Sequence, residues 1–439
     1  MRDALATERY LNRYIEPNLP DCPVADARWH DVLVIPAYRE DPEMLSALRA
    51  LVPNTGGLLV MLVLNRPDSE PDTQCNRPLG NAVAALQSIT DSAPLYSLAP
   101  NIDLYLHDMD QHGGALPAHE GVGLARKTGC DIALSWQQSG AITGDWLHFT
   151  DADAVLPKDH FSRLQSAPKD TVAAAFPFHH EMSGDRQLDV ATALYELRLH
   201  HYVLGLEHAG SPYALHTLGS CIAVRTSAYC HARGVPRRAG AEDFYLLNKL
   251  AKIGRVLRLD GNCITLASRE SGRVPFGTGP AVRTIAREEE PLNTCLFYDP
   301  RCFATLRALL QQVPHATDND WQVGKALREE AIEKPLADAA ENALLAMGLE
   351  KALAHCRRQS RLEADFMRHF HQWFDGFRTL KLIHALRDAG LPDVSLHRLE
   401  NLQPQLWPRD TQEVEALRAA VRHHWRWRAW QPISQERGC

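Results

Sequence analysis

The sequence contains no apolar run approaching the ~20 residues needed to cross a bilayer, and no cleavable signal sequence opens it. Its ten cysteines are scattered without a Cys-x-x-Cys pair, which argues against a zinc cluster or a disulfide framework and favours reduced, mostly buried thiols. The formal net charge of −7 gives no general attraction for nucleic acid or anionic membranes. These absences predict a cytoplasmic protein that binds no nucleic acid and contacts a membrane at most peripherally, at its inner face.

Several phosphate and nucleophile motifs are also missing. The segment from Gly121 to Arg126 lacks the third glycine of a dinucleotide fingerprint and follows a loop rather than a strand. Gly324-Lys325 has neither the following Ser or Thr nor the preceding glycine of a Walker-type loop. There is no Gly-x-Ser-x-Gly elbow and no convincing internal repeat. With 45% hydrophobic and 23% charged residues, the composition is nevertheless ordinary for a globular enzyme.

The most informative feature that is present is an apolar, strand-like run at 144–150 that ends in Asp151 and Asp153. Alternate residues of an extended chain share a face, so both carboxylates are expected to point into one crevice. Mg²⁺ and Mn²⁺ prefer carboxylate oxygens and bind beside nucleotide phosphates. The pattern predicts a metal and diphosphate site, and a solvated aspartate-rich turn is the alternative.

A β-α-β start precedes this acidic segment. Val32–Ile35 is predicted to be a strand that ends at Pro36, because proline stops the hydrogen-bond ladder. Residues 41–51 combine a capping Asp, an early proline and apolar residues at helical spacing. The almost continuously apolar run 58–64 predicts a strand covered on both faces.

Taken together, four segments resemble glycosyltransferases of the GT-A fold, and more closely those of family 2. These segments are Val34–Glu40, Gly121–Gly129, Asp151–Asp153 and Ala241–Leu246. Their order and approximate spacing agree with the family, and the likeness covers roughly residues 30 to 270. The resemblance implies an α/β, Rossmann-like, mostly parallel sheet flanked by helices. It also implies a UDP- or GDP-linked sugar donor, an unknown hydroxyl acceptor, and Mn²⁺ or Mg²⁺ as cofactor.

The resemblance also implies roles for individual residues. Asp243 is the expected base of an inverting transfer, with Glu242 orienting the acceptor or supporting the loop. Asp153 is the leading metal ligand, and Asp151 contacts the ribose or holds a metal-bound water. The nucleotide-sugar site is expected to include Asp151 together with Pro36, Ala37, Glu40, Asn65, Arg126, Arg269 and Arg273.

Two departures from the family pattern bear on these roles. Many members carry an aspartate where this chain has Asn65, which affects the expected acidic contact to the nucleoside. No tryptophan-bearing Arg motif of the processive synthases follows Asp243, which argues against a polymerising enzyme.

The loop from Ser268 to Gly279 carries two arginines and several glycines, and it either closes over the diphosphate or simply connects two domains.

The position of Glu242 and Asp243 supports a catalytic role on physical grounds. A helix is predicted from Glu242 to Ile253, closed by Gly254, which places both acids in its first turn. Free backbone N–H groups and the helix dipole are expected to keep such a carboxylate ionised at neutral pH, as a general base requires. An ordinary acidic helix start is the alternative interpretation.

The chain has room for about two to three domains. The predicted limits are a lead-in at 1–30, a catalytic domain at 31–282 (nucleotide half 31–155, acceptor half 156–282) and a helical accessory region at 283–439. The basic, aromatic stretch 422–430 suits a membrane surface or a lipid-linked acceptor, and docking onto the catalytic domain explains it as well. His179 and His180 are expected to be packing or surface residues rather than ligands of a metal or an acceptor.

Three functional classes follow. The favoured hypothesis is an inverting, metal-dependent glycosyltransferase. A sugar-nucleotide nucleotidyltransferase would share the nucleotide crevice and the paired aspartates, although its Gly-rich loop after the first strand is missing. A catalytically silent nucleotide-binding or scaffold protein of the same fold is the third class.

Overall fold

The computed structural model describes residues 2–24, 28–269, 277–402, 415, 418 and 419. Arg273 and the stretch 422–430 therefore lie outside the described residues. The strands are β1 (Asp31–Ala37), β2 (Leu58–Leu64), β3 (Gln87–Ser88), β4 (Leu95–Ala99), β5 (Ile102–Asp108), β6 (Trp146–Phe149), β7 (Ala154–Val155), β8 (Thr171–Ala175), β9 (Phe178–His180), β10 (Ile222–Arg225), β11 (Arg255–Arg258) and β12 (Ile264–Leu266).

The helices are α1 (Arg2–Arg13), α2 (Met44–Arg49), α3 (Arg77–Ala84), α4 (Met109–His112), α5 (Gly121–Gln138), α6 (Arg186–His208), α7 (Thr226–His231), α8 (Glu242–Leu250), α9 (Thr278–Ala286), α10 (Pro300–Gln312), α11 (Val323–Glu329), α12 (Lys334–Ala346), α13 (Leu349–Gln359), α14 (Glu363–Trp373), α15 (Gly376–Asp388) and α16 (Leu396–Leu402). In the part of the chain that the structure describes, none of them has the length and apolar character that crossing a membrane requires.

These elements form two compact units. The first contains the described residues up to Met182 together with Thr217–Pro280, and the second contains Ser183–His216 and the described residues from Ala281 onward. The second unit is helical and includes α6, which the sequence analysis assigned to the acceptor half of the first domain. The sequence-based domain limits themselves stay a prediction.

The described part of the first unit contains a nine-stranded sheet in the order β11-β8-β10-β6-β1-β2-β5-β4-β3, and a separate sheet in the order β7-β12-β9. In the large sheet, β6, β1, β2 and β5 pair in parallel, as do β11 and β8. The remaining neighbours pair antiparallel. The prediction of a mostly parallel sheet is therefore wrong, and the sheet is mixed. Between β4 and β5 the reason is the two-residue turn Pro100-Asn101, which is too short for the crossover that parallel strands require.

Strand β1 continues through Pro36, contrary to the predicted stop. It pairs with β2 along its whole length, whereas its pairing with β6 covers only Val32 to Val34. The C=O of Val34 accepts the N–H of Thr150 on the β6 side. Pro36 lies two residues after Val34, so its backbone nitrogen also faces the β6 side. Because β6 no longer pairs with β1 at this point, the N–H that proline lacks interrupts no hydrogen-bond ladder.

Local capping chemistry sets the limits of several helices in the second unit. Asp185 caps α6 by accepting the N–H groups of Gln187 and Leu188. Helices α12 and α13 are separated at Gly348, whose φ of 90° is left-handed. Helices α14 and α15 are separated at Asp375, which caps α15 by accepting the N–H of Arg378.

A buried charge network fixes α1 to the first unit. Asp131, on α5, is fully buried and accepts the hydroxyls of Tyr10 and Tyr229 at 2.6 and 2.7 Å. It also accepts the backbone N–H of Glu16 at 2.9 Å and pairs with the ammonium of Lys127. Burial raises the pKa of Asp131, and the neighbouring Lys127 opposes that shift. Lys127 is therefore the counter-charge on which this network depends.

We expect Lys127→Met to destabilise the protein by about 3–5 kcal/mol, because Asp131 would stay buried without its counter-charge. Urea unfolding followed by circular dichroism measures the loss. A chain that also carries Asp131→Asn no longer contains the unpaired charge and should recover part of the stability. Equal stability of the single variant and the wild type would contradict this account.

Candidate active site

The strand order changes direction between β1 and β6. From β1 the chain proceeds through β2 and β5 on one side, whereas β6 lies on the other side. In open α/β sheets such a switch point leaves a crevice outside the carboxyl ends of the strands. Pro36 and Ala37 end β1, and Asp151 follows the last residue of β6 by two positions. The predicted nucleotide-site residues therefore lie at the carboxyl ends of the two strands that flank this switch point.

Arg126, on α5, connects the two predicted acid clusters. Its Nη2 donates to Oδ1 of Asp151 at 2.7 Å, and its Nε lies 3.5 Å from Oε1 of Glu242. Its Nη1 donates to the C=O of Gly219 at 2.6 Å. The acids after β6 and at the start of α8, which are distant in sequence, thus meet at one guanidinium. Arg126 is only 2% exposed, and the predicted contact of its side chain with a nucleotide stays a prediction.

Three glycines allow this close arrangement. A Cβ at Gly129 would lie 2.6 Å from a β1 valine, and one at Gly123 would lie 2.4 Å from the C=O of Pro236. At Gly219 a Cβ would lie 3.0 Å from both Nη atoms of Arg126. Larger residues at these positions would push α5 away from the sheet or displace the guanidinium. The sequence motif at 121–129 contains two of these glycines, whereas no sequence signal pointed to Gly219.

Helix α8 begins with the predicted catalytic acids. Glu242 is buried and Asp243 is partly exposed, with Oδ1 of Asp243 accepting the N–H of Phe244 at 2.7 Å. Burial, followed by the neighbouring Glu242 carboxylate, raises the pKa of Asp243 to about 7. The helix start was expected to keep this group ionised at neutral pH, but burial outweighs the N–H groups of the first turn. At neutral pH, Asp243 is therefore poised between its two protonation states.

The backbone before this helix is strained. Ala241 has a φ of 56°, in the left-handed region that residues with a Cβ rarely adopt. Such conformations persist only where the surrounding structure fixes them, and they cluster at functional sites. The preceding segment is fixed to α5, because Gly123 donates to the C=O of Arg238 and Ala239 donates to the C=O of His119.

A second arginine connects Glu40, which follows β1, with Asp153, which follows β6. Nη2 of Arg269 lies 2.6 Å from Oδ2 of Asp153 and 3.4 Å from Oε1 of Glu40. Burial and the nearby Asp151 carboxylate raise the pKa of Asp153, whereas Arg269 opposes the shift. Asp151 and Asp153, in the turn after β6, therefore lie close enough to repel each other. Asp151 pairs with Arg126, and Asp153 pairs with Arg269.

Among the residues that the structure describes, the charges of this cluster are not balanced. Five carboxylates there face two guanidinium groups, so negative charge is in excess when all these acids are ionised; they are Glu40, Asp151, Asp153, Glu242 and Asp243, with Arg126 and Arg269. Such a cluster attracts cations and repels a bare diphosphate.

The donor set fits a divalent cation that is shared with a ligand. Among the described residues, no group of three or more His, Cys, Asp or Glu side chains could hold a metal ion. Mg²⁺, however, is usually bound by one or two carboxylates together with substrate phosphates and water. Asp153 and Asp151 provide two such carboxylates, and their roles as ligands stay predictions.

Asn65 joins the ends of β1 and β2. Its side-chain Nδ2 donates to the backbone C=O of Ala37 at 3.1 Å and to that of Val63 at 3.3 Å. The backbone C=O of Asn65 accepts a hydrogen bond from Nδ2 of Asn76 at 2.8 Å. An ionised aspartate has no side-chain donor and would set a carboxylate against two carbonyl oxygens. This bonding explains why asparagine, rather than aspartate, suits position 65 in this chain.

The loops beside Asn65 contain a polar network that the sequence did not reveal. The hydroxyl of Tyr38 donates to Oε2 of Glu70 at 2.7 Å, and Arg39 pairs with the same oxygen at 2.6 Å. Arg66 pairs with Asp110 at 2.7 Å. These partners come from separate turns with no common spacing, so no local pattern could have identified them. They connect the turn after β2 with the segments that follow β1 and β5.

Most of the predicted site residues are thus connected with one another. Contacts through Arg126 and Arg269 connect the acids at 40, 151, 153 and 242, and Asp243 adjoins Glu242. Asn65 bonds to backbone carbonyls instead, and Arg273 lies outside the described residues. Outside the cluster, His180 is buried, and Nε2 of His179 lies 3.4 Å from Oγ1 of Thr265.

No family model matches the sequence, and no curated protein is similar to it. Among solved structures, the chain is similar to residues 1–349 of S. aureus TarS in complex with UDP, with 12% identity over 78% of this chain and 89% of that chain and a TM-score of 0.33. A mycobacterial protein has 12% identity over 66% of this chain and 80% of its own, with a TM-score of 0.32. WbbM, described as a bifunctional glycosyltransferase, has 13% identity over 55% and 40%, with a TM-score of 0.29. At these values the likenesses carry no conclusion about the activity of this chain.

Proposed function

We propose that this protein is an inverting glycosyltransferase that moves a sugar from a UDP- or GDP-linked donor to an acceptor hydroxyl, with Mn²⁺ or Mg²⁺ as cofactor. The observation that supports this most directly is the contact of Arg126 with both Asp151 and Glu242. Through it, carboxylates suited to a cation lie beside Asp243, a carboxyl suited to proton transfer.

On the donor side, the negative cluster disfavours a bare diphosphate, so the donor would bind together with a cation. Asp153 would hold that cation, with Asp151 beside it on Arg126. A divalent cation there would neutralise the charge that develops on the departing nucleoside diphosphate. Pro36 and Ala37, at the end of β1, would line the nucleoside side of the crevice.

On the acceptor side, Asp243 would take the proton of the attacking hydroxyl. Its pKa of about 7 supports this, because a base is most effective when its pKa lies near the working pH. Its partial exposure leaves room for an acceptor to approach. Glu242, held by Arg126, would fix the start of α8 so that Asp243 keeps its position. A single displacement with this base on the side away from the leaving group inverts the anomeric carbon.

The proposal can be tested first by isothermal titration of UDP and GDP into the protein, with and without Mn²⁺. We expect one of the two nucleotides to bind, and to bind more tightly with the cation present. A panel of UDP- and GDP-sugars is then incubated with the protein, using water or simple alcohols as acceptors. Released nucleoside diphosphate is measured, and NMR of the product reports the anomeric configuration.

The outcomes separate the three functional classes. Release of UDP or GDP with an inverted product supports the proposal, and a retained product contradicts its mechanism. Pyrophosphate release from a nucleoside triphosphate and a sugar phosphate identifies a nucleotidyltransferase instead. Cation-dependent nucleotide binding without turnover of any donor identifies a catalytically silent protein.

A further inference from the structure

Arg269 lies where a small cation would be expected. A single nitrogen, Nη2, lies 2.6 Å from a carboxylate oxygen of Asp153 and 3.4 Å from one of Glu40. Nη1 lies 3.5 Å from the second oxygen of Glu40. The guanidinium therefore bridges acids that follow two neighbouring strands, β1 and β6.

A divalent cation in the same position would bind these acids at shorter distances. Mg²⁺ binds carboxylate oxygens at about 2.0–2.1 Å, whereas Nη2 lies 2.6 Å from Asp153 and 3.4 Å from Glu40. The cation and the guanidinium would compete for this position, since both are positive and both would contact Oδ2 of Asp153. Arginine, however, also binds phosphate groups well through its planar donors.

We propose that Arg269 occupies the cation position at Asp153 in the ligand-free protein, so that a divalent cation binds with a nucleoside diphosphate rather than before it. The competition with the cation follows from the ion pairs alone, whereas the nucleotide part rests on the proposed function. A diphosphate would give Arg269 a new anionic partner and the cation additional oxygen ligands. The arginine thereby keeps the acids from holding a cation when no donor is present.

The test measures Mn²⁺ binding to the nucleotide-free protein by isothermal titration and by the electron paramagnetic resonance of free Mn²⁺. Arg269→Gln should bind Mn²⁺ about tenfold more tightly than the wild type, because the competing positive charge is removed. Arg269→Lys keeps the charge and should stay close to the wild type. Arg28→Gln, which breaks the pair of Arg28 with Asp103 at 2.8 Å at the amino ends of the strands, should leave Mn²⁺ binding unchanged.

Two further measurements locate the effect. Adding Asp153→Asn to the Arg269→Gln chain should abolish the gain in Mn²⁺ affinity. In the presence of Mn²⁺, Arg269→Gln should bind the nucleoside diphosphate several-fold more weakly, since a phosphate partner is lost. Thermal melting confirms that each variant is folded.

The results distinguish this inference from the proposed function. If Arg269→Gln gains no affinity for Mn²⁺, the competition is overturned, even if UDP or GDP binds and donors are turned over. If the gain appears and depends on Asp153 but no nucleotide binds, Arg269 does occupy the cation position and the proposed function fails. If wild type and variant both bind Mn²⁺ tightly, the ordered entry of the cation is overturned.

Discussion

Replacing Asp243 by asparagine is expected to lower kcat for sugar transfer about 10²- to 10⁴-fold, because an amide cannot take up the proton of the acceptor hydroxyl. The amide oxygen can still accept the N–H of Phe244, so the start of α8 should keep its geometry. Donor affinity should therefore change little. Initial rates of nucleoside diphosphate release and a parallel titration with UDP or GDP measure the two effects separately.

The pH dependence provides a second measure of the same residue. Because burial raises the pKa of Asp243 to about 7, kcat/KM of the wild type should rise with pH up to about 7 and level off above it. Only the ionised carboxylate acts as a base, so the rate at pH 6 should be about one tenth of the plateau. The asparagine variant should lose this rise.

Asp145→Asn is the matched control for this variant. Asp145 is an exposed acid that precedes β6, at the end of the strand opposite to Asp151, and it pairs with Arg225. Its replacement should leave both the rate and the pH profile unchanged. Full activity of the Asp243→Asn chain, or the same loss in both variants, would rule out Asp243 as the base.

The sequence pattern was sufficient to predict the limits of an element where burial is uniform along that element. The limits of β2 were predicted correctly as Leu58–Leu64, because every position of that strand is apolar and buried. The order of strand ends and acids along the chain also predicts that Asp151 and Asp153 point into one crevice, and this stays a prediction. The ends of helices were less accurate: α8 ends at Leu250, before the predicted Ile253.

Pattern alone could not reveal how the charged groups of α5 are used. Arg126, Lys127 and Asp131 are all buried, although charges on a helix normally indicate its solvent face. Lys127 and Asp131 pair with each other at i,i+4, but further partners come from α1, α7, α8 and the turn after β6. No local spacing encodes contacts over such distances in sequence. The ion pairs of the candidate site were therefore not predictable from the sequence.

Replacing Arg126 by methionine is expected to affect both stability and catalysis. Breaking buried ion pairs of this kind costs about 3–5 kcal/mol, because Glu242 would stay buried without its counter-charge. Loss of the guanidinium also releases Asp151 and the start of α8, and misplacing a catalytic group by about 1 Å can reduce kcat about 10²-fold. Urea unfolding and initial rates at saturating donor measure the two losses.

A purely structural role of Arg126 makes a different prediction for the pH profile. The guanidinium lowers the pKa of Asp243, opposing the effect of burial. Without it, the pH at which kcat/KM rises should move upward, whereas a merely loosened fold would lower the rate at every pH alike. Arg126→Lys keeps the charge and should keep the profile. Gly219→Ala, whose Cβ would lie 3.0 Å from both Nη atoms, should lower kcat without moving the profile, because it displaces the guanidinium and keeps its charge. An unchanged profile in Arg126→Met would show that this arginine only supports the fold.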